Sequence, residues 1–507
     1  MTVIEWLADR SPKQRLALAF AAGLVSALGF APVEAWPLTI AGIAALILLI
    51  GPAPGMRTAL ATGWWFGLGH FLLGQYWIAH AFQFQASMPS WLGWIAVLLL
   101  SMLMAIYPAA AAGIAWRIGR SRLPWQVAAF VPAWMLTEWL RGYVFGGFPW
   151  NPLGVTWLPL AGVAQMAAFI GTLGLSGLMT GAGGALALGI GNHRQLAGRI
   201  VSGIVAAGIG GTLLMNGPTA LTNTRLHIVQ ANIGQHEKWQ PETEARNLRL
   251  YEKLSQAAIA RSGPGLILWP EAAVPEILDE EPLLRRRLGA AIGPGSLLLT
   301  GAPKAIRNRD GAAIAARNSL FVIAPSGQWL DRYDKAELVP FGEYLPLRTL
   351  LTAIGISRLA PGDLDFWPGP GARTLQLPGF PSVGPLICYE VVFSGHATDR
   401  ADRPQWLLNA SNDAWFSDGG AWMHLAQARL RAIEEGLPVA RATPTGVSAV
   451  IDPRGRVVTL LGRNQRGVLT SRLPAALHAT PFGRTGEALP VGLALLLIIL
   501  VVTIARR

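Results

Sequence analysis

The chain has 507 residues, of which 52% are hydrophobic and 14% are charged. Soluble globular proteins carry about 25% charged residues, so this composition argues against an ordinary soluble protein and indicates a membrane protein. The net charge of +12 is typical of nucleic-acid-binding proteins, but many of the arginines flank apolar segments, so no nucleic-acid partner is predicted.

Long apolar stretches dominate the first 216 residues and return at the end of the chain. Each is near the ~20 residues that cross a bilayer as a helix. We predict eight transmembrane helices, over residues 15–31, 37–51, 58–82, 91–116, 124–144, 159–190, 199–215 and 489–505. The first stretch has no small-residue cleavage site and further spans follow it, so it is interpreted as a retained helix.

The basic residues between these stretches predict the orientation of the chain. Alternate loops, at 32–36, 83–90 and 145–158, contain no Lys or Arg. The remaining loops and the two ends carry Arg10, Lys13, Arg15, Arg57, Arg117, Arg120, Arg122, Arg194, Arg199, Arg506 and Arg507. Because cytoplasmic loops are enriched in Lys and Arg, both termini are predicted to be cytoplasmic, and the long segment before the last helix is predicted to lie on the other side.

That segment, residues 217–488, alternates short apolar runs with amphipathic stretches. Strand-like runs lie at 225–233, 265–271, 296–303, 318–325, 383–390, 406–411 and 446–453, and helical stretches lie at 241–260 and 424–436. This alternation predicts an α/β domain with its own core. The predicted organisation is therefore seven transmembrane helices in 1–216, the α/β domain in 217–488, and a last helix with a cytoplasmic tail in 489–507.

Three runs of the α/β domain end on polar residues: GLILWPE on Glu271, QWLDRYDK on Lys335 and GPLICYE just after Cys388, the only cysteine. Side chains at strand ends are held rigidly and stay accessible. A carboxylate, an ammonium and a thiol suffice for acyl transfer, in which a base deprotonates the thiol and a cation stabilises the oxyanion. From the residues alone a structural interpretation stays open: Glu271 as a helix cap, Lys335 as a solvated loop residue and Cys388 as a core residue.

Four motifs carry a resemblance: WPEAAVP (269–275), YDKAELVPFGEYLP (333–346), ICYE (387–390) and NASNDAWF (409–416). Together they resemble the nitrilase superfamily, in particular its integral-membrane branch, the apolipoprotein N-acyltransferases. The resemblance covers nearly the whole chain. It implies a nitrilase-like α-β-β-α sandwich beside the eight-helix membrane domain, and a bacterial inner-membrane enzyme whose catalytic domain lies in the periplasm.

The resemblance also implies roles for individual residues. Glu271 is the implied general base, Lys335 stabilises the tetrahedral intermediate and Cys388 is the nucleophile. Supporting residues of the site are Glu343, Glu390 and Tyr389.

A further set of aromatic and amide residues is implied to bind substrate or order the site: Trp239, Asn412 and Trp415. Trp150, in the membrane loop RGYVFGGFPWNPLG (141–154), is a candidate wall of a lipid entry path. Packing aromatics and a turn-forming Asn are the alternative interpretation, and for Trp150 the alternative is an interfacial aromatic belt. The chain departs from the family pattern at Ser417, at Met423 and in the segment ATPTGVSAV (442–450).

The implied reaction takes an acyl chain from the sn-1 ester of a phospholipid onto a cysteine thioester and passes it to the α-amino group of an S-diacylglyceryl cysteine. The expected partners are the phospholipid donor, the diacylated apolipoprotein acceptor and the bilayer, with the enzyme as a monomer. No metal or cofactor is expected, since no His/Cys cluster with ligand spacing occurs.

Three alternatives remain open at this point. A membrane-tethered amidase or hydrolase shares the triad and uses water as acceptor. A transporter with a binding domain predicts polar residues inside the helices, of which His70 and Glu138 are examples. A catalytically inactive scaffold is the third.

Overall fold

The computed structural model describes residues 3–84, 88–119, 122–238, 240–346, 348–353, 359 and 364–505. The chain divides into two compact units. The helical unit comprises Met1–Ala79, Gly93–Asn216 and Pro481–Arg507, and the sheet unit comprises His80–Leu92 and Gly217–Thr480.

The N-terminal part of the helical unit is formed by α-helices joined by short loops and 3-10 turns. They are α1 (Val3–Ala8), α2 (Pro12–Ala27), α3 (Trp36–Ile50), α4 (Met56–Gly74), α5 (Leu92–Met104), α6 (Ile106–Gly119), α7 (Leu123–Arg141), α8 (Ala161–Ala164), α9 (Ala167–Ile190) and α10 (Arg194–Leu214). Glycines allow the closest packing in this unit. A Cβ at Gly23 of α2 would lie 2.0 Å from the Phe66 carbonyl oxygen of α4, and one at Gly69 of α4 would lie 2.2 Å from that of Phe20. Such small residues let apolar helices approach closely.

The two polar residues noted within the predicted spans have hydrogen-bond partners inside the helical unit. His70 Nδ1 lies 2.7 Å from Ser26 Oγ. Glu138 Oε2 accepts hydrogen bonds from Trp134 Nε1 at 3.2 Å and from the Leu153 amide at 3.1 Å. Both side chains therefore have a structural explanation, and neither requires a transport role.

The sheet unit contains eleven strands in its described part: β1 (Leu221–Gln230), β2 (Leu266–Leu268), β3 (Leu297–Arg307), β4 (Ala313–Ile323), β5 (Trp329–Asp334), β6 (Val383–Ile387), β7 (Trp406–Ala410), β8 (Val439–Ala442), β9 (Ser448–Ile451), β10 (Val457–Leu461) and β11 (Gly467–Pro474). Its helices are α11 (Gln235–Lys238), α12 (Pro241–Ser262), α13 (Pro282–Ile292), α14 (Arg348–Ala353) and α15 (Asp418–Glu435).

These strands form two sheets that face each other. One has the order β11-β1-β2-β3-β4-β5 and the other β10-β9-β8-β7-β6. β1, β2 and β3 run parallel, as do β6, β7 and β8. β1 and β11 contact β8 and β9, α12 and α13 contact the first sheet, and α15 contacts the second. The layers therefore follow the order helix, sheet, sheet, helix, with a core around the fully buried Trp269 and Phe321.

The chain ends in the helical unit with α16 (Pro481–Thr485) and α17 (Ala488–Ala505). By length and composition, four helical segments of the described chain could cross a membrane: Leu92–Gly119, Ala167–Ile190, Arg194–Leu214 and Ala488–Ala505. The chain thus has several potential membrane spans, and the count of eight stays a prediction.

Several predicted spans differ in their bounds from the helices observed, and the stretch 159–190 is divided between α8 and α9. The stretch 91–116 is interrupted between α5 and α6, because Pro108 has no N–H to donate to the carbonyl four residues earlier. The stretch 58–82 leaves the α-helical conformation after Gly74 and continues as a 3-10 helix.

Candidate active site

Three strand ends of the sheet unit bring the predicted catalytic residues into one electrostatically coupled group. Glu271 follows β2, Lys335 follows β5 and Cys388 follows β6. All three are buried, with exposed fractions of 7%, 1% and 7%. Interiors of this kind strengthen charge interactions, and the charges of Glu271 and Lys335 both act on the Cys388 thiol.

Lys335 lies between two carboxylates. Its Nζ is 2.9 Å from Glu343 Oε2 and 3.5 Å from Glu271 Oε1. Asn318 Nδ2 joins the same two carboxylates, donating to Glu271 Oε1 at 2.6 Å and to Glu343 Oε1 at 2.9 Å. Burial alone would lower the pKa of Lys335, but the two carboxylates outweigh it and raise the pKa above its ordinary value. Lys335 is therefore a fixed cation at neutral pH.

Cys388 occupies a sharp turn between β6 and a short 3-10 helix. Its φ of 51° lies in the left-handed region, which is costly for a residue with a Cβ and recurs at functional sites. Burial raises the pKa of the thiol to about 12, and the Glu271 charge adds to this, while Lys335 opposes it. The resting side chain is therefore a protonated thiol, and it needs a base before it can attack.

Glu390 ties the Lys335 loop to the Cys388 turn. Its Oε1 accepts from Tyr333 Oη and from the Ala336 amide, both at 2.7 Å, and its Oε2 accepts from the Ile387 amide at 2.6 Å. Burial raises the pKa of Glu390 to about 7, although these hydrogen bonds oppose the shift. The neighbouring Tyr389 is buried and packs edge-on against Phe393 at 5.1 Å.

Beneath the thiol lies a buried charge network that the sequence analysis did not predict. Arg441 Nη2 donates to Asp413 Oδ2 at 2.5 Å. Burial alone would raise the pKa of Asp413, but the Arg441 charge outweighs it and holds the pKa below its ordinary range. Arg441 Nη1 also donates to the Asn409 side-chain oxygen.

His424 connects this network to the backbone of Cys388. Its Nε2 lies 3.1 Å from the Cys388 carbonyl oxygen, and its Nδ1 lies 3.0 Å from Arg441 Nη2. Burial lowers the pKa of His424, and the Arg441 charge adds to this, so the ring is neutral at pH 7. Nδ1 also lies 3.2 Å from Asp413 Oδ1. Because a carbonyl only accepts and a guanidinium only donates, we assign the proton to Nε2, which leaves Nδ1 as the acceptor for Arg441. The motif NASNDAWF contains Asp413, but only the fold shows that this residue meets His424 and Arg441.

Lys238 is a second cation of the site that sequence reasoning missed. Its Nζ donates to the Glu271 carbonyl oxygen at 2.9 Å. Burial lowers the pKa of Lys238 to about 8, while the Glu271 and Cys388 charges oppose the shift. The Asn412 amide, oriented so that its oxygen faces donors, accepts from Lys238 Nζ at 3.3 Å and from Trp415 Nε1 at 3.2 Å. The sequence feature that could have indicated Lys238 is the scarcity of lysine in this chain, together with its position next to the predicted site residue Trp239. Trp239 itself lies outside the described residues.

Trp150 belongs to the helical unit. It is fully buried and packs against Trp77, with ring centroids 4.4 Å apart. Its carbonyl oxygen accepts from Arg141 Nη1 at 2.6 Å, and that of Phe148 accepts from the same atom at 2.8 Å. These contacts give Trp150 a packing role in its loop, and its predicted part in substrate binding stays a prediction.

Departures from the family pattern lie in and around α15. Ser417 immediately precedes the helix, and Met423 is buried within it. In the segment after β8, Thr443 Oγ1 donates to Gln230 Oε1 at 3.2 Å. The Thr443 contact links the segment after β8 to β1 of the facing sheet, so this departure has a structural consequence.

Taken together, the site offers a carboxylate, a fixed ammonium and a protonated thiol within a buried, hydrogen-bonded frame. A carboxylate can remove the thiol proton, and an ammonium can stabilise an oxyanion in a low-dielectric environment. This chemistry suits attack on an acyl carbonyl.

Two family models match the chain. The apolipoprotein N-acyltransferase N-terminal domain matches residues 22–185, and the carbon-nitrogen hydrolase family matches residues 225–481. Among solved structures, an amidase from Nesterenkonia sp. aligns over 51% of this chain and 93% of its own, at 20% identity and a TM-score of 0.38.

Full-length relatives point to the same family. An apolipoprotein N-acyltransferase of Rhodopseudomonas palustris is 37% identical over 97% of this chain and 96% of its own. Those of Bradyrhizobium diazoefficiens and Caulobacter vibrioides are 36% and 35% identical and cover 96% and 98% of this chain, and 94% and 96% of their own. These matches confirm the resemblance that the four motifs indicated. The chain therefore belongs to the apolipoprotein N-acyltransferase family and carries the nitrilase-like fold of the carbon-nitrogen hydrolases.

Proposed function

We propose that this protein moves a fatty acyl chain from the sn-1 ester of a phospholipid, through a thioester on Cys388, to the α-amino group of the S-diacylglyceryl cysteine of an apolipoprotein. The observation that carries the proposal is the Lys335 ammonium, held 2.9 and 3.5 Å from two carboxylates and coupled to the only thiol of the chain. Family membership supports lipoprotein N-acylation as the outcome.

In the first half of the reaction, Glu271 removes the proton from the Cys388 thiol and the thiolate attacks the ester carbonyl. The oxyanion that forms faces Lys335. The tetrahedral intermediate then expels the lysophospholipid alkoxide, which takes the proton from Glu271. The products are a neutral lysophospholipid and the acyl-enzyme thioester.

In the second half, the neutral α-amine of the lipoprotein attacks the thioester carbonyl. Glu271 takes the proton that the amine nitrogen loses, and the C–S bond breaks. The departing thiolate of Cys388 recovers that proton from Glu271. One covalent intermediate and two sequential substrates define a ping-pong acyl transfer.

The other predicted site residues act on the three reacting groups or on the substrates. Glu343 holds Lys335 in place, and Glu390 fixes the turn that carries Cys388. We assign Tyr389 to the ordering of the same turn. Asn412 and Trp415, which share a hydrogen bond, are assigned to the substrate pocket together with Trp239. Trp150 is assigned separately to binding lipid along its entry path.

The membrane placement is part of the proposal. Eight spans in a bacterial inner membrane would leave both termini in the cytoplasm and residues 217–488 in the periplasm, where the phospholipid and the lipid-anchored acceptor reach the site from the bilayer. The distribution of Lys and Arg between apolar segments supports this orientation. We propose that the enzyme works as a monomer.

The alternative is a membrane-tethered amidase or hydrolase with water as acceptor. The experiment that separates the two uses phosphatidylethanolamine labelled in its acyl chain and a synthetic diacylated lipopeptide. Transfer of label to the peptide nitrogen is expected. Label recovered only as free fatty acid would favour the hydrolase.

A further inference from the structure

Ser411 is a fully buried serine at the end of β7, beside the nucleophile. Its Oγ lies 3.3 Å from Cys388 Sγ and 2.7 Å from Asp413 Oδ1. A serine hydroxyl has one proton and two acceptor lone pairs. The hydroxyl can therefore donate to only one of these two neighbours at a time.

In the resting site the Ser411 hydroxyl donates its hydrogen bond to Asp413. The Arg441 guanidinium, 2.5 Å away, keeps Asp413 ionised, and a carboxylate only accepts hydrogen bonds. The Cys388 thiol is protonated and can supply its own S–H. A lone pair of Ser411 Oγ then faces the sulfur, and the thiol is the donor.

Deprotonation of the thiol reverses this preference. A thiolate beside the lone pair of Ser411 Oγ has no donor from that side, whereas rotation about the Cβ–Oγ bond brings the serine proton to the sulfur. Asp413 tolerates the loss, because it keeps its hydrogen bond from Arg441. Hydrogen bonds to ionised groups are stronger than those to neutral groups, so the rotation favours the thiolate.

We propose that Ser411 is a positioning residue for the nucleophile: its Oγ accepts the S–H of Cys388 at rest, and its O–H turns from Asp413 to the sulfur when Glu271 removes the thiol proton. One proton moves, from Sγ to Glu271, and the serine keeps its own. The inference rests on the proposed role of Cys388 as the nucleophile.

The single cysteine makes this hydroxyl directly testable, because every thiol signal comes from Cys388. The full-length enzyme and its Ser411→Ala variant are treated with iodoacetamide between pH 7 and 9, and alkylation is followed by intact mass. The alanine variant is expected to react about tenfold more slowly at each pH, since its thiolate lacks a donor. Its infrared S–H stretching band is expected to move to higher frequency, because the thiol no longer donates to oxygen.

Ser411→Thr keeps the hydroxyl and is expected to restore both the alkylation rate and the band position. Ser255→Ala is the matched control, since Ser255 is also a fully buried serine of the sheet unit, and it should leave both readouts unchanged. An unchanged or faster alkylation of Ser411→Ala, or an unmoved S–H band, would overturn the proposal. Neither readout needs lipid, so a failure of acyl transfer in the wild type is distinguished from a failure of the Ser411 inference.

Discussion

At the residue scale, Asn318 and Glu343 fix the position and the charge of Lys335. The side-chain amide of Asn318 donates hydrogen bonds to both Glu271 and Glu343 and so fixes the positions of the two carboxylates. The Lys335 ammonium lies between these carboxylates. A fully buried cation with two anionic partners cannot be removed without leaving uncompensated charge. Lys335 therefore supports the fold in addition to its proposed role in the reaction.

Lys335→Met is expected to reduce acyl transfer by at least about 10²-fold, the size of effect that follows loss of an oxyanion-stabilising group. It should also lower the free energy of unfolding by about 3 kcal/mol, because two buried carboxylates lose their partner. Labelled-lipid assays and thermal unfolding in detergent measure the two effects. Lys253→Met, at an exposed position of α12, is the control and should change neither quantity. Transfer at the wild-type rate in Lys335→Met would remove Lys335 from its proposed role.

Residue identities at strand ends indicated Glu271, Lys335 and Cys388 as a candidate group with a structural interpretation still open, and only the resemblance added Glu343. The fold brings these side chains into electrostatic contact. The motifs containing Glu271, Lys335, Cys388 and Glu343 each end a strand or follow one. Lys238 was missed because it lies on the one-turn helix α11 and its hydrogen bond with Glu271 is to the backbone carbonyl. No periodicity encodes such a contact.

At the element scale, α15 carries an unfavourable pair of acids at its carboxyl end. Glu434 pairs with Arg431 at 2.8 Å. Glu435 is also buried and accepts a hydrogen bond from Thr398 at 3.1 Å. Burial raises the pKa of Glu435 to about 7, and the charge of Glu434 adds to the shift. Carboxylates at a helix C-terminus also oppose the helix dipole.

This pair predicts a pH dependence of stability. The folded pKa of Glu435 is about 7 and its ordinary value is 4.5, so the folded state holds an extra proton between these pH values. The free energy of unfolding should therefore fall as pH rises from about 4.5 to about 7, by about 3 kcal/mol from this group.

Glu435→Gln should reduce that decline in the pH profile of thermal unfolding by the share that Glu435 contributes, while Glu390, whose pKa burial also raises to about 7, keeps its own share. The exposed control Glu281→Gln should keep the full decline. If the slope between pH 4.5 and 7 is the same in the wild type and in Glu435→Gln, the buried acid does not bind the extra proton.

The kink in α9 of the helical unit predicts how substitutions of its glycines change stability. Gly171 has a φ of 62°, and a Cβ there would lie 2.2 Å from the Phe482 ring. Gly171→Ala combines backbone strain with overpacking, so it is expected to destabilise the protein by about 2 kcal/mol or more. Gly181, on the same helix, has no heavy atom within 4 Å of such a Cβ, and Gly181→Ala should be neutral or stabilising. Equal unfolding temperatures of the two variants would contradict the predicted cost of a side chain at Gly171.

Apolar runs were sufficient to predict β1, β2, β3, β4, β6, β7 and β9. They missed β11, and they also missed β10, although its sequence VVTLL is apolar and its burial alternates along the strand. They also missed β8, because the charged Arg441 interrupts its apolar run. The fold buries Arg441 by pairing it with Asp413 and the Val447 carbonyl oxygen, which lie outside β8. Helix α12, with its 3.6-residue pattern, was predicted almost to its bounds.

At the scale of the whole molecule, neither of the two compact units is continuous in the sequence. Residues His80–Leu92 belong to the sheet unit although they lie between helices of the helical unit. Phe84 packs 4.9 Å from His236 and 5.8 Å from Trp415, measured between ring centroids. Composition predicted a loop here, but the partners of that loop lie more than a hundred residues away and leave no local pattern.

The proposed orientation is tested with single cysteines in a Cys388→Ala background. His193→Cys lies in the loop between α9 and α10, and Arg309→Cys lies in the sheet unit, both at exposed positions. A membrane-impermeant maleimide added to intact spheroplasts should label Arg309→Cys, whereas His193→Cys should react only after permeabilisation. The reverse pattern would contradict the predicted topology.

The central claim is that Cys388 carries the acyl chain between donor and acceptor. Purified enzyme is incubated with a phospholipid of defined acyl chains, and the intact mass is recorded before and after addition of a diacylated lipopeptide. The mass should rise by one acyl group, fall back as the peptide gains that group, and never rise in Cys388→Ala. An adduct that persists in Cys388→Ala, or a wild-type adduct that the peptide does not consume, would contradict the account.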